Sequence, residues 1–292
     1  MTPPPPPRGF PPGAYLIGAQ KSATTTFAAL LAQHPDVVPS QPKEPDYFTG
    51  AFTRGPEWYA ERFADHAGVL LDASTSYTLC PFPARTRAGD PLVGVPHRIH
   101  AQRPDARFLY VLRDPVARAW SAYWHAVRRG HERRSPAAAL TADSGYLAAS
   151  SYAYQLERYL EVFEPTQFLL VDMDLFIERQ DEVMRYCLDF LGVPAHDFDF
   201  TAVGARNRSF TYTRSGDLVR RLVGGERMLK RASGWARRTL PTTWRDRLAR
   251  VMTNEIPPLD APTRDVIRAG LEPARVEITP RPGLTVLGRT PS

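Results

Sequence analysis

Apolar and polar positions along the chain fall into short blocks that alternate in kind. "AYLIGA", from residue 14, is a compact apolar run ending near glycine, as in a strand buried on both faces. "TTTFAALLAQHP" behind it predicts a helix over 25–33, stopped near Pro35. "GVLLDAS" (68–74) and "RFLYVLRDP" (107–115) repeat the buried-strand pattern. "VARAWSAYWHAVRRG" (116–130) predicts a helix with Gly130 at its C-cap. In "YAYQLERYLEVF" (152–163), Leu156, Tyr159, Leu160 and Phe163 share one helical face. "QFLLVDMDLF" predicts a strand over 167–171 with a loop after it, and "RQDEVMRYCLDFLGV" a helix over 179–193, ended by Gly192 and Pro194. Strand and helix in alternation predict an α/β fold: a central parallel sheet flanked by helices.

Beyond about residue 200 the pattern changes. "DLVRRLVGGERMLKRAS" and "TTWRDRLARVM" read as basic amphipathic helices, so a helical basic C-terminal extension is expected, packed on the same domain. Trp244, Leu248, Val251 and Met252 form one apolar stripe, which favours core packing over contact with a membrane surface. At the other end, "MTPPPPPRGFPPG" (1–13) predicts an extended, mobile proline-rich tail without the apolar segment of a secretory signal.

Composition narrows the classes. The chain has 292 residues, 43% hydrophobic and 23% charged, ordinary for a folded soluble domain. No run of about 18 apolar residues predicts a transmembrane helix. Cys80 and Cys187 stand alone, matching neither a metal-ligand spacing nor a disulfide framework, and a cytoplasmic setting is the expectation. The net charge of +6, densest over 214–250, invites an anionic partner, but no nucleic-acid-binding signature accompanies it.

Three stretches carry candidate chemistry. After the first strand comes "GAQKSATTTF", a turn with the outline of an ATP-binding P-loop and the wrong spacing. Lys21 lies three residues after Gly18, and no second glycine precedes it. A turn of this kind still presents backbone N–H groups and the positive end of a helix to an anion, with Lys21 and the hydroxyls of Ser22, Thr24, Thr25 and Thr26 as further donors. "PKEPDYF" sets Glu44 beside Lys43 in a loop stiffened by prolines, able to aim a carboxylate. "VLRDPVARAWSAY" places Arg113 at a strand end, where open α/β sheets bind ligands, and Ser121 two turns into the following helix. A guanidinium fork and a hydroxyl together grip a phosphate. Singly, each stretch is equally a capped helix, a solvated Lys–Glu pair or a structural Arg–Asp pair.

Taken together, "GAQKSATTTF", "PKEPDYF" and "YVLRDPVARAWSAY" resemble the sulfotransferases that use 3′-phosphoadenosine 5′-phosphosulfate (PAPS), nearest to the heparan-sulfate branch and its bacterial relatives. "DASTSY" (72–77), "YAYQLERYLEVF" and "CLDFLGVP" fit as well, and the resemblance covers roughly 14–214. It implies a P-loop-type sheet with a PAPS-binding core over 14–205, and a nucleotide-covering loop and basic helical region over 206–292. It implies Lys21 on the phosphosulfate and its bridging oxygen, and the turn residues Ser22, Ala23, Thr24, Thr25 and Thr26 around it. Arg113 and Ser121 fall on the 3′-phosphate, Arg214 in the covering loop, and Glu44 on the catalytic base, which partial burial would improve. No metal is expected.

This chain departs from that pattern twice. Ala23 replaces a common turn glycine, so its methyl would crowd the sulfonate or exclude a positive φ. Ala73 replaces a lysine of many heparan-type enzymes, which leaves the acceptor open between a carbohydrate and a small molecule, with a hydroxyl favoured over an amine as the group sulfated. Segments 49–67, 81–97 and 130–151, together with the basic C-terminal helices, are the expected acceptor walls, with Trp58, Tyr59, Trp124 and Tyr146 suited equally to a sugar or aromatic acceptor and to core packing. The rival readings are a small-molecule kinase, which the early lysine argues against, and a non-catalytic anion-binding protein.

Overall fold

Ala14–Gly18 (β1) is buried along its whole length, so both of its faces need a cover. In the computed structural model, which describes residues 6–65, 67–203, 210–212 and 253–289, that cover is two layers of helices. The sheet comprises β1, Val37–Pro39 (β2), Val69–Asp72 (β3), Arg107–Leu112 (β4), Phe168–Asp172 (β5) and a late strand, Thr285–Leu287. Between β5 and that strand, Phe210–Tyr212 (β6) and Thr253–Glu255 (β7) form a separate antiparallel pair, which makes Thr285–Leu287 β8. The order across the main sheet is β2-β3-β1-β4-β5-β8, every neighbour parallel. This is the α/β architecture expected from the alternating pattern.

Alternation along the strands sorts the core into two faces. Tyr15, Ile17, Phe108, Tyr110, Phe168 and Leu170 point to one, against Ile99 of helix α3 (Val95–Gln102) and Leu156 and Tyr159 of the helix Tyr152–Leu160. Ala14, Leu16, Leu109, Val111, Leu169 and Val171 point to the other, against Phe27 and Leu31 of helix α1 (Thr24–Leu31) and Met184 and Leu188 of the helix Gln180–Leu191. Helix α2 (Gly55–Ala60) contributes Tyr59 to the first face. Helix α4 (Pro115–Arg129) begins where Asp114 Oδ1 accepts from Ala117 N at 2.7 Å and ends at Gly130, φ +76°, the C-cap anticipated from sequence.

Four expectations change. The stretch after β5 is not a loop but the helix Met173–Glu178, capped by Asp172, whose Oδ1 accepts from Asp174 N at 2.8 Å. The described part of the C-terminal region is not all helical: after the helix Ala261–Gly270, β8 joins the edge of the main sheet beside β5. The N-terminal segment is anchored well before Gly13: Phe10 packs edge-on against Tyr59 at 5.6 Å and Pro12 is buried. Ala23 adopts φ +55° as the N-cap of α1, so its methyl does not exclude a positive φ. Arg214, the basic stretch 214–250 and the Trp244, Leu248, Val251, Met252 stripe lie outside the described residues. Among the described residues no helix is long and apolar enough to cross a membrane.

Candidate active site

The chain leaves β1 to build β2 and β3 on one side, then crosses to β4 and β5 on the other. The crevice between the carboxyl ends of β1 and β4 is therefore the switch point of the sheet, where such folds bind ligands. A register shift between Leu16 and Gly18 bends the end of β1, and Ala19 N donates to Val111 O of β4 at 2.7 Å. Gly18 is required there, because a Cβ would overlap the Thr78 hydroxyl, itself donating to Ile17 O at 2.9 Å. The turn then passes Lys21, φ +77°, and Ala23 into α1. The first bond of α1 runs from Phe27 N to Ala23 O at 3.1 Å, so the N–H groups of residues 24–26 lack acceptors within the helix and face the crevice end. Thr25 and Thr26 are half-buried and Thr24 is buried. Ser22 is fully buried on the same turn, beside Tyr152.

Arg113 bridges the crevice, its Nη1 donating to the Lys21 carbonyl at 3.2 Å. Its own carbonyl accepts from Tyr152 Oη at 2.9 Å, which gives "YAYQLERYLEVF" a role in placing the strand end. The start of α4 is fixed by the fully buried Arg118. Its Nε donates to Ser150 Oγ at 2.6 Å and its Nη2 to Tyr146 O, while Ser150 Oγ donates to Pro115 O at 2.9 Å. Burial pulls the Arg118 pKa down. Ser121, buried on α4, lines with Arg113 a cavity of about 340 Å³.

Lys21 is where the electrostatics concentrate. Burial lowers its pKa to about 8, and the guanidinium groups of Arg128 and Arg113 push in the same direction. No carboxylate pairs with the ammonium among the described residues. Arg128, from the last turn of α4, was not anticipated. It lies seven residues after Ser121, two turns along the same helical face, and that spacing was the available signal. Its Nη2 donates to His125 Nδ1 at 2.9 Å. A half-buried cation with two more acting on it has the electrostatics that suit an anion carrying more than one charge.

Glu44 enters from the next strands along the same edge. The loop after β2 is stitched to the segment after β3 by successive side chains. Asp46 N donates to Ser74 Oγ at 3.0 Å, Thr75 Oγ1 to Glu44 Oε1 at 3.2 Å and Ser76 Oγ to Asp46 Oδ1 at 2.6 Å. Lys43 Nζ reaches both Glu44 Oε1, at 2.8 Å, and Ala73 O, at 3.3 Å. The partial burial expected of Glu44 is slight, its side chain being 44% exposed, and Oε2 is engaged by none of the described residues. Beneath, the fully buried Asp72 accepts from Tyr59 Oη (2.6 Å), Tyr77 Oη (2.7 Å) and Ser74 Oγ (2.6 Å). Burial raises the Asp72 pKa to about 6 against the pull of those three donors. Tyr59 is thus a core residue and not an acceptor wall, and Tyr146 is tied to Glu132. Trp124 packs against Trp120 and Tyr123, and the guanidinium groups of Arg54 and Arg62 lie over the ring of Trp58 at 4.4 and 4.8 Å. Among the described residues no group of three or more His, Cys, Asp or Glu could hold a metal ion.

Comparison with known proteins places this arrangement. A bifunctional heparan sulfate N-deacetylase/N-sulfotransferase 1 of Caenorhabditis briggsae is 24% identical over 212 residues, 64% of this chain, which spans 23% of that protein's length. A heparan sulfate glucosamine 3-O-sulfotransferase 6 of Homo sapiens is 27% identical over 224 residues, 74% of this chain and 60% of that protein. The crystal structure of a sulfotransferase from Alicyclobacillus acidocaldarius superposes with a TM-score of 0.52 at 30% identity, covering 65% of this chain and 85% of that one. The profile of the sulfotransferase domain matches residues 11–257, from just before β1 to just past β7, and so the chain belongs to the sulfotransferase domain family.

Proposed function

We propose that the chain transfers the sulfonate group of PAPS to a hydroxyl of a carbohydrate or small-molecule acceptor, leaving a sulfate ester and 3′,5′-ADP. The observation that carries this reading is the meeting of Lys21, Arg113 and Arg128 at the β1–β4 crevice. A half-buried ammonium on which, among the described residues, the cations Arg128 and Arg113 act fits a ligand bearing several negative charges. PAPS, when bound, supplies an activated sulfonate whose sulfur–oxygen bond to the 5′-phosphate breaks during transfer. The N–H groups at the start of α1 and the hydroxyls of Thr25 and Thr26 would hold the 5′ end, and Arg113 and Ser121 the 3′-phosphate. Lys21 would neutralise charge gathering on the bridging oxygen as it leaves. Glu44 Oε2 would take the acceptor proton, with Oε1 held by Lys43 and Thr75. The heparan sulfate named in the relatives supports a sugar acceptor, and Ala73 supports the wider choice.

Glu44→Gln tests the assignment. Turnover with labelled PAPS should fall by about 10²-fold or more, while 3′,5′-ADP affinity stays unchanged. A variant that turns over like wild type removes Glu44 from the chemistry. Thermal stabilisation by ATP–Mg²⁺ with none by 3′,5′-ADP overturns the donor reading itself.

A further inference from the structure

The cavity at Arg113 and Ser121 has a second wall. It belongs to the helix Ala261–Gly270, beyond the residues matched by the family profile, and it presents Arg264 and Arg268. We infer that these two arginines complete the 3′-phosphate end of the nucleotide site and select for a nucleotide phosphorylated at that position. The inference rests on the PAPS reading above.

The local sequence explains why the helix presents them. Asp260 caps it, its Oδ1 accepting from Thr263 N at 2.7 Å. Positions 264, 267, 268 and 271 follow the i, i+3, i+4, i+7 spacing of one helical face. Ile267 is fully buried and Leu271 nearly so, in a cluster with Val116, Ala119 and Trp120 of α4. Trp120 Nε1 donates to Pro257 O at 3.0 Å, which holds the approach to the helix against α4. Docking Ile267 and Leu271 on α4 therefore carries Arg264 and Arg268 to the cavity that Arg113 and Ser121 line from the other side.

The charges at this cavity are unbalanced. Two other arginines of the C-terminal segment have carboxylate partners: Arg275 with Glu272 at 3.1 Å, and Arg281 with Glu157. Arg264 and Arg268 have none among the described residues, and Arg264 Nη2 reaches only the Leu259 carbonyl, at 3.4 Å. Two like charges at i, i+4 oppose the helix that carries them, and an anion between them removes that opposition. The acid lining the cavity is Asp114, and its Oδ1 is committed to capping α4. Three guanidinium groups and a hydroxyl around about 340 Å³, with Trp120 and Leu259 as apolar lining, suit a phosphate attached to a nucleoside.

The test compares two ligands that differ only in the 3′-phosphate. Calorimetric titration of the full chain with 3′,5′-ADP and 5′-AMP is repeated on Arg264→Gln/Arg268→Gln. Both positions are solvent-exposed and the substitution removes a like-charge pair, so the melting temperature should not fall. The double variant should lose about tenfold or more in affinity for 3′,5′-ADP and keep its affinity for 5′-AMP. Arg264→Lys/Arg268→Lys, which retains charge without the fork, should recover part of the loss. Unchanged 3′,5′-ADP affinity, or an equal loss for both ligands, overturns the inference while leaving the PAPS reading standing. A wild-type chain that binds no 3′,5′-ADP overturns both.

Discussion

Raising the pH from 7 to 9 should weaken nucleotide binding by a calculable amount. In the ligand-free protein the Lys21 ammonium has a pKa of about 8, set first by burial and then by Arg128 and Arg113. A phosphate seated against it favours the charged form and returns the pKa to the ordinary lysine range. Above pH 8 the free protein has lost a proton that the complex retains, so binding must take one up. Between pH 7 and 9 this amounts to about tenfold in affinity, or about 1.4 kcal/mol, with about half a proton absorbed per nucleotide at pH 8. The ligand does not imitate the effect, because phosphate second ionisations lie near pH 6. Calorimetric titration with 3′,5′-ADP in buffers of different ionisation enthalpy reads both quantities. Lys21→Arg should bind with a flat profile over the same range, since a guanidinium does not titrate there. Equal wild-type affinity at pH 7 and pH 9, or the same slope in Lys21→Arg, refutes the placement of Lys21 against the phosphates.

The same lowered pKa makes Lys21 costly to the free fold, whose stability should rise as pH increases from about 8 toward 10.5. Lys21→Met should therefore raise the ligand-free melting temperature at pH 7, by at most ~3 kcal/mol of stability, and abolish the further rise with 3′,5′-ADP; a lower melting temperature contradicts this. The folded-state pKa of Asp72, raised from 3.8 to about 6, contributes stability present below about pH 4 and lost as pH rises through 6. Tyr59→Phe removes one donor to that carboxylate and keeps the ring stacked on Tyr47. It should cost ~1.5–3 kcal/mol at pH 8 and less at pH 4 in urea titrations, and an equal loss at both pH values would exclude the charge-assisted bond as its cause. Ala23→Gly relieves a left-handed alanine at the start of α1 and should stabilise by up to ~1 kcal/mol after the added freedom of the unfolded chain; a clear loss of stability would show that the methyl has a favourable contact there.

The long apolar runs of β1, β4 and β5 were legible because burial on both faces leaves few polar residues to blur them. Lys21 and Arg113 followed from those strand ends. β2 and β8 were not legible, since three residues are too few to establish a period. The helix Met173–Glu178 was missed because its start depends on a cap supplied by the last residue of the preceding strand. Arg128 had a signal in its spacing from Ser121. The approach of Arg264 and Arg268 to Arg113 had none, because it depends on where a helix some 150 positions later docks. Asp72 stood in a quoted motif with two of its hydroxyl donors, Ser74 and Tyr77, but nothing in that motif announced its burial or the third donor, Tyr59, which comes from α2.

The late strand β8 has a consequence for the integrity of the whole sheet. It shields the outer edge of β5 with three residues, none of them fully buried, and it is gripped at its ends by Gly283 over Thr166 and Gly288 over Asp172, where a Cβ would collide. If this short segment peels away, the outward N–H and C=O groups of residues 169–171 become a bare template for another chain. A sheet whose central β1–α1 turn is built from residues 18–24 thus relies on a segment more than 250 positions later to keep neighbouring molecules apart. Early self-association, ahead of any loss of helix, is the failure to expect when the C-terminal segment is clipped.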